Sequence, residues 1–416
     1  MDQARGFDVK HAPEALVDCI GRRQWATRLD ALKRGCTNSY AGRALAQLHA
    51  LELTVERLRR PGRNTEPSAI EQRVAILASD LVALAGSLSQ AGRARLDVQL
   101  TEAMTGPGTL VPLFHLVHTA ALQEQRGFSV AYAGLQDGAP FDLLLTRDGV
   151  EAEIVCDVMS AEAGRDVHRG AWSALMDRVD PDLQEWLSAH PGRYLLKMTL
   201  PQGLKGGCSE DGAPLAALHQ RITRLLSEQR RVDHDEAAVL RLDPLLLAAA
   251  QFADDAPARQ TRQQTSSQTS LMPRLRQEFG PEAHLAVTAA GGAVFVMAAR
   301  AAREDEVAGA VHQRMQEIAP LRLTGSRPGI LAMFIEDTDR LEWRILRDQL
   351  RLEGAARHFL TRPEARSVVA VTCASRQEML GSPSSDGAPP TELRFRNPSH
   401  PNARVTALAP AVLSTP

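Results

Sequence analysis

Between residues 40 and 61 the apolar positions recur at helical spacing. Leu45, Leu48, Leu51, Val55 and Leu58 fall three or four residues apart and line one stripe. The pattern predicts helix through 14–60, broken by Pro61, Gly62 and Pro67. A second long helix is predicted over 68–88 with Ser68 at its N-cap, then a polar segment punctuated by Gly106-Pro107-Gly108. A third opens near Thr109, carries Pro112 in its first turn and stops at Gly127. "FSVAYAG", "FDLLLT" and "VEAEIVCDVMS" follow as strands, with turns at Asp137-Gly138 and Asp148-Gly149. After a polar loop over 161–167 come a helix through "WSALMDRVDPDLQEWL" and a strand, "RYLLKMTLP". Helix, three strands, helix, strand is the order of an α/β unit with a mixed sheet.

The second half alternates in the same way. "LAALHQRITRLLSEQR" is helical, "AVLRLDPLLL" fits strand or helix, and 254–270 has so little apolar content that a mobile segment is expected. Two strands flank Gly291-Gly292, a helix covers "EDEVAGAVHQRMQEIAPL", "PGILAMFIED" is a strand, "DRLEWRILRDQLRLEGAARHFL" a helix and "SVVAVTCAS" a strand. Two α/β domains, or one sheet interrupted by an insertion, both fit. The expected division is an N-terminal helical region (1–105), a first α/β part (106–202), an insertion or linker (203–275), a second α/β part (276–380) and an irregular tail (381–416).

Composition narrows the chemistry. A net charge of -2 argues against a strongly basic nucleic-acid coat protein while leaving room for a local basic groove. Lysine occurs only at Lys10, Lys33, Lys197 and Lys205, and the arginine and alanine bias fits a GC-rich, bacterial genome. Cys19, Cys36, Cys156, Cys208 and Cys373 form no CxxC pair, which weighs against a zinc ribbon and suits a reducing compartment. The first residues lack the apolar core of a signal peptide, and no window reaches the ~20 apolar residues of a membrane span. A cytoplasmic location with no membrane partner is therefore expected.

In a regular strand over 151–159, Glu151, Glu153, Val155, Asp157 and Met159 share one face. Ala152, Ile154, Cys156 and Val158 share the other, which suits a core. Asp142, one short turn away on the preceding strand, can approach Asp157 or Glu153. Carboxylates converging from adjacent strands suit magnesium, which could activate water for phosphodiester attack. Glu151 and Glu153 fit equally the solvated face of an edge strand. His115 and His118, spaced i, i+3, could join Asp142 on a metal or pack at a core edge.

The helix followed by "GFSV", "PFDLLL" and a carboxylate strand resembles the core of the PD-(D/E)XK nuclease superfamily. The resemblance implies a restriction-endonuclease-like fold, a mixed central sheet flanked by helices, here preceded by the N-terminal helical region. The family's first acidic position matches Asp142, and its (D/E)-x-K matches Asp157-Val158-Met159. Registers at Glu151-Ala152-Glu153 and Glu153-Ile154-Val155 also lack the lysine. Met159 thus stands where a lysine would stabilise developing charge, and His115 stands near the family's accessory Glu. Lys197 in "YLLKMTL" is the candidate for a migrated lysine. "HQRMQEIAPLRLTGSRPGILAMFIEDT" is similar to the family's later helix and strand, and "FRNPSHPNARVTAL" to the closing segment of some large members; 100–416 would then be one elaborated domain with 203–275 largely inserted.

The resemblance implies a catalytic set of Asp142, Asp157 and Lys197, a magnesium site of Asp142, Asp157 and Glu153, and phosphate contacts from Arg165, His168 and Arg169. The cluster Arg57, Arg59, Arg60 and Arg63 is a further basic candidate. The leading expectation is a nuclease-fold protein that binds DNA with phosphodiesterase activity weakened or lost. The alternatives are a non-catalytic scaffold for a protein partner and an active magnesium-dependent DNA endonuclease.

Overall fold

The computed structural model describes residues 11–60, 66–205, 212–245, 275, 279, 283–381 and 392–415. Helices α1 (Ala12–Ile20), α2 (Arg22–Gly35), α3 (Tyr40–Leu48), α4 (Ala50–Arg59), α5 (Ala69–Ser87) and α6 (Gln90–Ala103) lead the chain. Then come α7 (Val111–Gln125), β1 (Ser129–Ala131), a short α8 (Ala133–Asp137), β2 (Leu143–Arg147) and β3 (Val150–Ser160). They are followed by α9 (Arg169–Ala189), β4 (Arg193–Leu200), α10 (Gly212–Ser227), β5 (Val232–His234), β6 (Val239–Pro244), β7 (His284–Ala290) and β8 (Ala293–Ala301). The last group is α11 (Val307–Arg322), β9 (Gly329–Glu336), α12 (Arg340–Asp348), α13 (Arg351–Leu360), β10 (Val368–Ala374), α14 (Arg376–Leu380), β11 (Leu393–Arg396) and α15 (Ala409–Val412).

These elements fall into two compact units. The first comprises Met1–Gly35, Leu45–Ala163 and Val307–Pro416; the second comprises Cys36–Ala44 and Gly164–Glu306. In the first unit six strands run in the order β1-β2-β3-β9-β10-β11. β1, β2 and β3 form an antiparallel meander, β3, β9 and β10 are parallel, and β11 is an antiparallel edge. The meander turns tightly because Asp148 and Gly149 take φ of 50° and 75°, the left-handed pair that a two-residue hairpin needs. β9 and β10 are buried along their whole length, as parallel strands covered on both faces must be.

Two cores explain that burial. On one face Ile154 of β3, Leu143 and Leu145 of β2 and Phe334 of β9 pack with Phe114 and Val117 of α7 and with Leu77 and Leu81 of α5. On the other, Val155 and Met159 of β3 with Met333 of β9 meet Val311, Met315 and Ile318 of α11 and Phe359 of α13. The face expected to be wet is therefore roofed by a helix. Met159, placed by the sequence at a lysine position, is a buried member of this second core.

The second unit has its own five-stranded sheet, β5-β6-β4-β8-β7, in which only β4 and β8 are parallel. Its core joins Leu175, Val179 and Leu183 of α9 and Ile222 of α10 to Leu196, Leu240 and Phe295 of the sheet. The mixed α/β class holds, but the assignment of elements to sheets changes. The expected first part, 106–202, is split, because α9 and β4 belong to the second unit. The segment between β3 and α11 is larger than the insertion expected over 203–275, and it carries a complete hydrophobic core of its own. The strands that complete the first sheet are β9, β10 and β11, and α11 covers one face of it.

Local differences have local causes. α5 starts where expected: Ser68 Oγ accepts from Glu71 N (3.3 Å) and Glu71 Oε2 from Ser68 N (2.8 Å), a reciprocal capping box. α6 lies in the segment read as polar, because it buries only Gly92, Leu96, Leu100 and Ala103, about one residue per turn. The tail is less irregular than expected: β11 pairs with β10, and Asn397 fastens the next turn through Val368 O (Nδ2, 2.9 Å) and Val369 O (backbone N, 2.8 Å). The expected mobile segment, 254–270, lies outside the described residues.

The single helix predicted over 339–360 is two, α12 and α13, because Leu350 adopts φ 57° and ψ 21°. An L-residue with a large side chain is strained there by about 1 kcal/mol. Leu350 is 60% exposed, so its side chain contributes little packing. Leu350→Gly should raise stability by about 0.5–1 kcal/mol, seen as a higher urea midpoint. A lower midpoint would show that the exposed side chain matters after all.

Candidate active site on the acidic strand

Asp142 stands at the entry to β2. Its backbone N–H donates to Ile154 O (2.9 Å), so it opens the β2–β3 ladder. Its Oδ2 accepts from Cys156 N (2.7 Å) and its Oδ1 from Arg322 Nη2 (2.9 Å). Arg322 Nε is held in turn by Pro140 O (2.5 Å). Burial raises the Asp142 carboxyl above its ordinary range; Arg322 and the Cys156 N–H oppose the rise, and the charge of Asp157 adds to it.

Further along the same strand pair, α11 and the loop after it answer each carboxylate of β3. Arg314 forms a two-pronged bridge to Asp157, Nε to Oδ2 at 2.8 Å and Nη2 to Oδ1 at 2.7 Å. Glu153 is fully buried; its Oε2 accepts from Thr324 N (2.9 Å), its Oε1 from Thr324 Oγ1, and Arg327 Nη1 lies 3.6 Å from Oε1. Arg327 Nε also donates to Glu151 Oε2 (2.6 Å). The row of acids that resembled a magnesium site is thus a row of ion pairs. Both oxygens of Asp142, Asp157 and Glu153 already accept hydrogen bonds or face a guanidinium. Among the described residues no group of three or more His, Cys, Asp or Glu side chains could hold a metal ion. Magnesium does not fit this donor set without breaking those bridges.

His115 and His118 are core-edge histidines. His115 Nε2 donates to Ala332 O (2.9 Å), its Nδ1 lies 3.4 Å from Thr119 Oγ1, and its ring packs on Phe334. His118 Nδ1 accepts from Arg73 Nη2 (2.8 Å). Because the Arg73 guanidinium can only donate, His118 Nδ1 must be an acceptor, which requires the neutral form. Burial is the main cause that lowers His115 to about 4, and burial with the Arg73 charge lowers His118 to about 3. Neither completes a metal site with Asp142.

The remaining candidates belong to other elements. Lys197 is on β4 of the second unit, where its Nζ lies 3.8 Å from Asp243 Oδ2 and over the Phe279 ring. The migrated-lysine expectation placed β4 beside β3, and that neighbour is β9. Arg165 is also in the second unit, buried, with its Nε 4.0 Å from Asp305, so its guanidinium is not offered to a phosphate. His168 and Arg169 are half-buried at the start of α9. Arg59 and Arg60 reach Glu56 (3.0 and 3.7 Å) and Arg57 reaches Glu71 (3.0 Å), so the basic cluster is largely neutralised. Arg63 lies outside the described residues. Cys156 is half-buried, and desolvation pushes its thiol up, which removes it as a nucleophile.

Sequence reasoning missed Arg314, Arg322, Thr324 and Arg327. Their signal was the segment "HQRMQEIAPLRLTGSR", where polar residues flank the apolar positions Met315 and Ile318 that seat the helix on β3. No family model, curated protein or solved structure matches the chain.

A double-mutant cycle on Asp157→Asn and Arg314→Gln should give a coupling energy of about 1–2 kcal/mol in chemical denaturation; additive effects would show the bridge to be idle. The neutral histidines make stability fall with acid. Both have folded pKa values below the unfolded value near 6.5, so below that pH the unfolded chain takes up protons that the folded chain refuses. Each should cost about 1.4 kcal/mol per pH unit between about 6.5 and its folded value. His115→Gln and His118→Asn, which preserve the hydrogen-bond roles, should flatten that slope in denaturation measured from pH 7 to 4.5.

Proposed function

We propose that this protein works by binding rather than by catalysis, as a non-catalytic α/β scaffold on a nuclease-like frame. The observation that carries the proposal is the two-pronged Arg314–Asp157 bridge, with Arg322 on Asp142 and Thr324 on Glu153. Each carboxylate that would hold a hard cation is spent on α11 or the loop after it. A buried charge is retained at such a site when a partner neutralises it, and here the partner comes from the chain itself. The frame is supported by order: α7, the β1–β2–β3 meander, then α11 and parallel β9, drawn from the segments that resemble the family. A protein partner suits a chain of net charge -2 whose basic candidates are mostly paired. No helix among the described residues is long and apolar enough to cross a membrane.

A nuclease assay separates the readings. Plasmid, linear duplex and single-stranded DNA should survive incubation with magnesium or manganese, and Asp142→Ala should change nothing in that assay. Magnesium-dependent cleavage lost in Asp142→Ala would establish the endonuclease instead. DNA binding at low salt that weakens steeply as salt rises, and is reduced by Arg169→Ala, would favour the nucleic-acid reading over the scaffold.

A further inference from the structure

Helix α12 is anchored by one face. Its buried residues are Glu342, Trp343 and Leu346. Trp343 and Leu346 pack in the second core of the first unit, and Trp343 Nε1 donates to Glu378 Oε1 (2.7 Å). Asp339 caps the start of the helix, accepting from Leu341 N (2.8 Å) and Glu342 N (2.9 Å). These contacts fix which side chains the helix turns outward.

Arg340, Arg344 and Arg347 fall at i, i+4 and i+7 and form one outward row about 10 Å long. All three are exposed, and none has a hydrogen bond or ion pair among the described residues. Arginines elsewhere in the first unit are answered: Arg314 by Asp157, Arg322 by Asp142, Arg327 by Glu151 and Arg376 by Glu336. Asp348 follows Arg344 by four residues without bridging to it. Like charges one turn apart repel, so the row opposes the helix that carries it. Among the described residues no ion pair offsets that repulsion.

The row has an apolar border. Leu341 and Ile345, each one position after an arginine of the row, are half-buried, and Leu350, just past the end of α12, is 60% exposed. Leu350 is held there at φ 57°, a left-handed conformation that a leucine resists. Guanidinium groups beside aliphatic side chains have the composition of a protein interface, where arginine is enriched and an apolar centre excludes water. Duplex nucleic acid fits less well. Its backbone is held through about six to ten phosphate contacts spread along the groove, more than a row of this length reaches, and phosphates make no use of the apolar border.

We propose that this face of α12 docks an acidic amphipathic helix of a protein partner, with carboxylates one turn apart on Arg340, Arg344 and Arg347 and aliphatic side chains on Leu341, Ile345 and Leu350. The proposal rests on the binding-rather-than-catalysis reading and locates the partner. The two fail separately: magnesium-dependent cleavage would sink that reading without moving binding at α12, and a silent α12 would leave the acidic strand paired as it is. Fluorescence anisotropy on the full chain at low salt tests the site with three labelled probes. They are an alanine-rich helical peptide with glutamates along one edge and leucines along the next, its copy with glutamine for glutamate, and a duplex DNA of mixed sequence. The acidic peptide should bind with a Kd of about 100 μM or tighter, and the glutamine copy about tenfold more weakly. Arg340→Gln, Arg344→Gln and Arg347→Gln combined should weaken the acidic peptide about tenfold or more without lowering the urea midpoint, since all three side chains are exposed and unpaired. Leu350→Gly, which keeps the turn, should weaken it about threefold. An acidic peptide that fails to bind, matches its glutamine copy or binds the triple variant unchanged would overturn the site. DNA bound more tightly than the peptide, and lost in the triple variant, would overturn the protein partner in favour of nucleic acid.

Discussion

The first unit depends on how α11 is seated on β3. The helix buries Val311, Met315 and Ile318 against Val155 and Met159, and doing so covers a strand face that also carries Glu153 and Asp157. Burying carboxylates alone would cost several kcal/mol each. Arg314, Thr324 and Arg327 make the covering tolerable by meeting them where α11 and its following loop pass. Apolar packing supplies the drive and the ion pairs fix the register. A helix shifted by one turn would leave Arg314 away from Asp157 and two acids buried without partners.

That constraint also decides the chemistry. A hard cation needs carboxylate oxygens that are free to turn toward it. Here Asp142 is tied to a backbone N–H and to Arg322, Asp157 to both prongs of Arg314, and Glu153 to Thr324. The same guanidinium groups that stabilise the unit take the place a metal would need. Met159 fits this picture, since it packs with α11 where a lysine would meet an apolar helix face.

Much of the local structure was legible in the sequence. Helix α5 with Ser68 at its N-cap, the Asp148-Gly149 turn and the alternation along β3 are set by neighbouring residues, and each stands as expected. Periodicity also separated the apolar face of β3 from the acidic one. What it could not assign was the material that covers the acidic face, since α11 is more than 140 residues away with a second hydrophobic core between. Strand β4 follows β3 in the chain, yet β9 lies beside it, because the segment after β3 folds on its own core before α11 returns. The sequence by itself determined that helices and strands alternate and which residues of β3 share a face. Only the tertiary structure decided that Asp142 and Asp157 face Arg322 and Arg314, because a carboxylate's role depends on which charge long-range packing places against it.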